Sequence, residues 1–210
     1  MSEQRNSYED VEKLERELGM PDGWFHSLLR KEESDWSFVI KLHALFEAAV
    51  AHVINAKLNR PELDAFVERL NMHGPISKTA LAKALNLLEP RHARIIGALS
   101  SIRNDCVHDV RNLTFQFSEY VKGLEQGRRE GFLAAFVDLI RDEIPLGDDM
   151  RMPRDDFVCR HTRHAFWVAA TVVLADLYTS KELAQRLASG TLTLKELLGT
   201  PGMLSGKAPS

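Results

Sequence analysis

Residues 90–110 read PRHARIIGALSSIRNDCVHDV, and this stretch decides the fold. Pro90 suits the first turn of a helix, where a backbone N–H would have no partner in any case. At 100° per residue, Ile95, Leu99, Ile102, Cys106 and Val110 form one stripe, spaced 4, 3, 4 and 4. That is a long amphipathic helix with one face in a core, ending near Val110. Gly97, Ser100, Ser101, Asn104 and His108 fall on nearly the opposite side. A solvated face normally carries Lys and Glu. This one is small and polar, which lets another backbone approach closely, either a partner helix or a nucleic-acid strand. From geometry alone a partly exposed polar face with a satisfied histidine is an equal reading.

Working outward, the flanks are helical too. Upstream, Ser34 or Asp35 caps a long helix through Trp36, Phe38, Val39, Leu42, Phe46, Val50, Val53, Ile54 and Leu58, apolar on more than one side and therefore central. Pro61 opens a helix over 62–70. His73-Gly74-Pro75 breaks the chain and Ser77 restarts it. Ser7 with Asp10 resembles a capping box, and Gly19 and Pro21 stop that first helix. Downstream, a turn at Asn112 leads to Phe115, Phe117 and Tyr120, then to a helix with Phe132, Phe136, Leu139 and Ile140. A long loop is expected over 145–153, a large helix over 154–180 and a weaker one over 181–188. Trp24, Phe25, Phe166 and Trp167 read as core rather than as a stacking platform. No segment shows the alternation of a sheet. The expected architecture is all-α: an acidic N-terminal helical extension over 1–33, one helical-bundle domain over 34–198, and a flexible tail over 199–210.

Composition narrows the function. A formal net charge of −3 argues against a generally basic nucleic-acid coat protein. Residues 1–35 carry ten acidic side chains against five basic, leaving 22 basic and 20 acidic for the rest, so any polyanion must meet a local patch. The polar start Met1-Ser2-Glu3-Gln4 lacks a secretory pattern, and the most apolar stretch, 165–177, contains Asp176 and falls short of the roughly 20 residues of a membrane span. Cys106 and Cys159 form no Cys-x-x-Cys pair. A reducing cytoplasm, no membrane and free thiols are expected.

Most catalytic signatures are missing. There is no Gly-rich phosphate loop, no His-Glu-x-x-His and no Gly-x-Ser-x-Gly. Cys159, His161 and His164 are the one soft-metal grouping, but they lack a fourth ligand and sit beside Arg160 and Arg163, so a solvated basic helix start, without metal or cofactor, is expected. What remains is Arg103-Asn104-Asp105-Cys106-Val107-His108. Arg103 and His108 are five apart, about 140° around an ideal helix, and cannot easily share one ligand. Either the helix unwinds near His108 or two copies pack so that residues from both converge. Asn104 and His108, four apart, share a face. Asp105 is a carboxylate neighbour that would favour protonated His108.

This pattern resembles the Arg-x(4–6)-His signature of the HEPN superfamily, in which a polar residue directly follows the arginine. Ser77-Lys78 with Leu81, the 85–88 stretch, the motif helix and Leu113-Thr114-Phe115 are similar to HEPN-like bacterial families that include the mannitol operon repressor group. The resemblance covers about residues 36–120 in detail. It implies a HEPN-like core with additional C-terminal helices, and a homodimer with the two motifs facing each other. In catalytic members it implies metal-independent cleavage of RNA, as in toxins and defence components. Arg103, His108 and Asn104 would then be catalytic, with Gly97, Ser100, Ser101 and Asp105 at the dimer interface or the RNA approach. Other families of this kind act as non-catalytic transcriptional regulators or interaction modules. An antitoxin or a regulatory protein is the further partner expected.

Overall fold

The 24-residue helix Asp35–Leu58 is apolar around most of its circumference, and the rest of the chain covers all but a strip through Lys41, Ala44 and Ala48. The computed structural model describes residues 7–30, 32–108, 113–147 and 150–191. Within these the helices are α1 (Ser7–Glu17), α2 (Trp24–Ser27), α3 (Asp35–Leu58), α4 (Asp64–Arg69, after a 3-10 turn at Pro61–Leu63), α5 (Lys78–Ala84), α6 (Pro90–His108), α7 (Phe117–Lys122), α8 (Gln126–Ala134), α9 (Arg154–Arg160) and α10 (Thr162–Ala188). The chain is an all-α bundle. The expected helix end at Val110, the turn at Asn112 and the 199–210 tail lie outside the described residues.

Ser34 starts α3, its Oγ accepting the Ser37 N–H at 3.1 Å. Asn59 ends it in the left-handed conformation (φ 48°), with its N–H on the Asn55 carbonyl. α6 and α10 pack along α3, with α5 and α4 alongside, and α1 lies against α10. Phe38, Val39, Leu42, Phe46, Val50, Val53 and Ile54 of α3 are buried, and one continuous core takes in residues from all of these helices. By length and composition α3 is the one helix among the described residues that could cross a membrane, and most of its apolar window lies inside the fold. The most apolar stretch is therefore α3, not 165–177.

Asp35 holds three helix starts together. Its Oδ1 accepts from Arg163 Nε (2.9 Å) and Nη2 (2.5 Å), and its Oδ2 accepts from the Phe117 N–H (2.9 Å). The Arg163 guanidinium also lies over the Phe38 ring, 5.7 Å from its centroid. Beneath this junction, Phe166 packs edge to face on Phe136 at 5.0 Å and stacks on Phe117 at 5.7 Å. Phe25 stacks on Trp167 at 5.1 Å, and the indole N–H donates to the Phe25 carbonyl. Phe25, Phe166 and Trp167 are core, and half-buried Trp24 packs against it.

Four local expectations are corrected. The 145–153 loop is part of an antiparallel hairpin, with Glu143–Pro145 (β1) against Arg151–Pro153 (β2) and Ile144 opposite Met152. Strands of three residues closed by prolines are too short to show alternation. The division at 180/181 is absent, because the last helix breaks instead at His161 (φ −129°, ψ 45°) and then runs unbroken to Ala188. Lys181, which looks like a polar interruption, is buried with its ammonium on Glu17 and Glu182. Burial pushes the Lys181 pKa down, but the two carboxylates outweigh this and raise it. Arg163 is a half-buried partner of Asp35 rather than part of a solvated basic patch. Finally, Val11, Leu14, Phe25 and Leu28 belong to the common core, so the acidic N-terminal segment is integral to the bundle.

Two outcomes follow from this packing. Phe166 is fully buried among three aromatic rings, so Phe166→Ala should lower unfolding stability by about 3–5 kcal/mol in a urea titration. Cys106 is buried, and burial followed by the Asp105 carboxylate pushes its thiol up to about 11. A thiol reagent near neutral pH should therefore label half-buried Cys159 first and Cys106 only as the protein opens.

Candidate functional site

α6 stays α-helical through His108. The angular separation of Arg103 from His108 is therefore kept, and of the two ways of bringing them onto one ligand, unwinding before His108 is not what the described helix does. Asn104, Asp105 and His108 are exposed, while Arg103 is half-buried and donates from Nη1 to Asn104 Oδ1 at 3.3 Å. The Cys106 carbonyl, one turn before the helix end, accepts from Trp36 Nε1 at 3.2 Å, which fixes this end of α6 to the start of α3.

The small-residue face divides. Ser101, Asn104 and His108 face outward, and Gly97 is half-buried beside His73, whose Cε1 would lie 4.0 Å from an added Cβ. Ser100 turns inward. It is 6% exposed, so it is not available to a partner or an RNA strand as the sequence suggested. The reason is that α6 is covered on two sides. Ile95, Leu99, Ile102 and Cys106 make the expected stripe, and fully buried Ile96 with Ser100 makes a second, which the single-stripe reading overlooks.

Ser100 is the centre of a polar network. Its Oγ lies 3.0 Å from His43 Nε2 and 2.7 Å from His73 Nε2, and it donates to the Ile96 carbonyl at 2.9 Å. His43 comes from α3 and His73 from the connection between α4 and α5. That connection is pinned at its far end. Ser77 caps α5 and donates to the Gly74 carbonyl, while Thr79 bonds the Met72 carbonyl through both N–H and hydroxyl. Lys78 is 2% exposed, and its ammonium donates to Glu47 Oε1 (2.8 Å) and to the carbonyls of Glu68 (2.9 Å) and Leu70 (2.6 Å). All three of its protons are thereby placed. Sequence reasoning missed His43 and His73. The available signals were a histidine within an otherwise apolar helix and a histidine at a chain break.

Burial pushes His43 below the usual imidazole range, the Arg103 guanidinium lowers it further, and Glu47 partly opposes this. Burial likewise lowers His73, against a bond to the Ile96 backbone. Both rings are thus neutral near pH 7, and Arg103 is electrostatically linked to the network. At the former metal candidate, Cys159 Sγ accepts from Arg129 at 3.4 Å, and the His161 and His164 rings lie edge to face, 6.3 Å apart. Among the described residues no group of three or more His, Cys, Asp or Glu is placed to hold a metal ion.

Removing the shared hydroxyl with Ser100→Ala leaves the buried His43 imidazole and the more exposed His73 without their common partner and should cost about 1–3 kcal/mol in denaturant unfolding. The pH dependence has a definite sign. Because both histidine pKa values are lowered in the fold, the unfolded chain takes up protons first as pH falls below about 6.5, and stability drops. His43→Leu should make that decline shallower between about pH 7 and 5, measured as unfolding midpoint against pH.

Comparison with protein-family models, with curated proteins and with solved structures found no match to this chain.

Proposed function

We propose that this protein is a HEPN-type RNA-binding protein that acts as a metal-independent endoribonuclease, with a homodimer as its working unit. The observation that carries the reading is the intact end of α6, which presents Asn104 and His108 on an exposed face and Arg103 on the adjoining one. A second copy meeting the Ser101, Asn104 and His108 face would bring the arginine of one protomer toward the histidine of the other. In that arrangement His108 takes the proton of a ribose 2′-hydroxyl or protonates the leaving oxygen. The 2′-oxygen attacks phosphorus, the bond to the 5′-oxygen breaks, and a 2′,3′-cyclic phosphate remains. Arg103 offsets charge on the phosphate oxygens and Asn104 orients the guanidinium it already contacts.

One observation favours a second reading. Asp105 places an exposed carboxylate between Arg103 and His108, which opposes the approach of a polyanion. A non-catalytic regulator resembling the mannitol repressor group, with the motif serving dimer packing or a regulatory protein partner, accommodates that charge better.

Cleavage of RNA by the purified protein should persist in EDTA and leave cyclic phosphate ends. His108→Ala and Arg103→Ala should each reduce it by about 10²–10⁴-fold with the circular dichroism spectrum unchanged, and Asn104→Ala by less. Light scattering should give a dimer, weakened by Ser101→Arg. Cleavage that survives His108→Ala would refute the assignment, and an inactive wild type whose motif variants lose the dimer would transfer the motif to the regulator.

A further inference from the structure

On the side of α6 away from Ser100, residues Arg94, Ala98 and Ser101 share a face, and α7 and α8 stand opposite with Tyr120, Arg128 and Gly131. Between them is an open cleft of about 250 Å3. Its floor is apolar, formed by Ala98, Leu124, Phe132 and Ala135. Two arginines line it, Arg94 from α6 and Arg128 from α8, together with the hydroxyl-bearing Ser101 and Tyr120. Arg128 reaches the Tyr120 hydroxyl, which holds both on the rim. Arg94 pairs with Asp138 at 3.2 Å, but that carboxylate is 62% exposed, so the pair exchanges readily for a better anion.

We propose that this cleft binds a phosphomonoester carried on a single ring. An arginine on each of the two helices that line one cleft suits a dianionic phosphate, which each can meet through paired N–H donors. The apolar floor suits the flat face of one ring rather than a second charged group. The volume sets the size. At about 250 Å3 the cleft lies just below the roughly 300–1,000 Å3 of common ligand pockets, which suits a ligand as small as one ring and one phosphate. Gly131 lines the cleft, and a Cβ there would meet nothing within 4 Å, so a larger side chain can be accommodated at this wall. The cleft shares Ser101 with the face on which the proposed homodimer would meet, but neither Arg94 nor Arg128 belongs to the motif, so a failure of RNA cleavage leaves the binding test intact.

The test is titration of the full-length protein, followed by amide shifts of Ser101, Gly131 and Phe132, with phenyl phosphate and with glucose 6-phosphate. At least one should bind saturably, and the tighter of the two identifies the ring as aromatic or sugar. Inorganic phosphate and phenol should each bind at least about tenfold more weakly. Arg128→Gln should weaken binding by about tenfold or more. Gly131→Leu leaves every charge in place but fills the cleft, and replaces a helical glycine with a better helix former, so it should abolish binding while the circular dichroism spectrum is kept. Inorganic phosphate binding as well as either ring phosphate, binding that survives Gly131→Leu, or no saturable shift with either probe would each overturn the proposal.

Discussion

A helix that is apolar around most of its circumference must be covered on most sides, and α3 imposes that condition on the whole chain. Its buried faces leave no room for unpaired charge, so polar contacts gather at its ends and seams: Asp35 with Arg163 at the start, Glu47 with Lys78 further along, and His43 with Ser100 where α6 crosses. The polar groups that meet α3 at these seams arrive with hydrogen-bond partners, as a low-dielectric interior requires, while the Asn55 amide oxygen on α3 itself is buried without one among the described residues. The covering helices are ordered by these contacts as much as by apolar packing, because apolar packing alone tolerates sliding.

The same condition shapes the candidate site. α6 must give up two stripes to the core, so what remains for function is a narrow outward face at its C-terminal end and a separate arginine-lined cleft further back. The two meet at Ser101, which belongs to both. Arg103 sits on the boundary, sharing Asn104 with the outward face and its electrostatic field with His43 beneath. A change in the buried network would therefore be felt by the guanidinium without any exposed residue moving.

The helices were legible in the sequence wherever periodicity and caps agreed. Ser34, Ser77, Pro61 and Pro90 mark starts where the structure has them, and the 95–106 stripe is buried as its spacing requires. Where the reading failed, a tertiary partner decided the matter. Lys181 looks like a helix end until Glu17, 164 residues earlier, supplies its counter-charge, and Arg163 looks solvated until Asp35 does the same. The hairpin was illegible because three-residue strands carry too little pattern. Within the site, the exposed positions of Asn104 and His108 followed from a helical wheel, but the burial of Ser100 did not. A wheel shows angles, not how many neighbours a helix has.

Ser100 carries one hydroxyl proton, and the Ile96 carbonyl lies where it can accept it. With the proton so directed, the oxygen offers lone pairs to the two imidazoles, and each ring meets it with the tautomer that carries Nε2–H. A single oxygen atom thus couples the tautomers of two histidines from different parts of the chain. If the hydroxyl turns instead toward one Nε2, that ring takes the other tautomer and the Ile96 carbonyl loses the bond, so the serine is a rotor whose setting is written into the two rings.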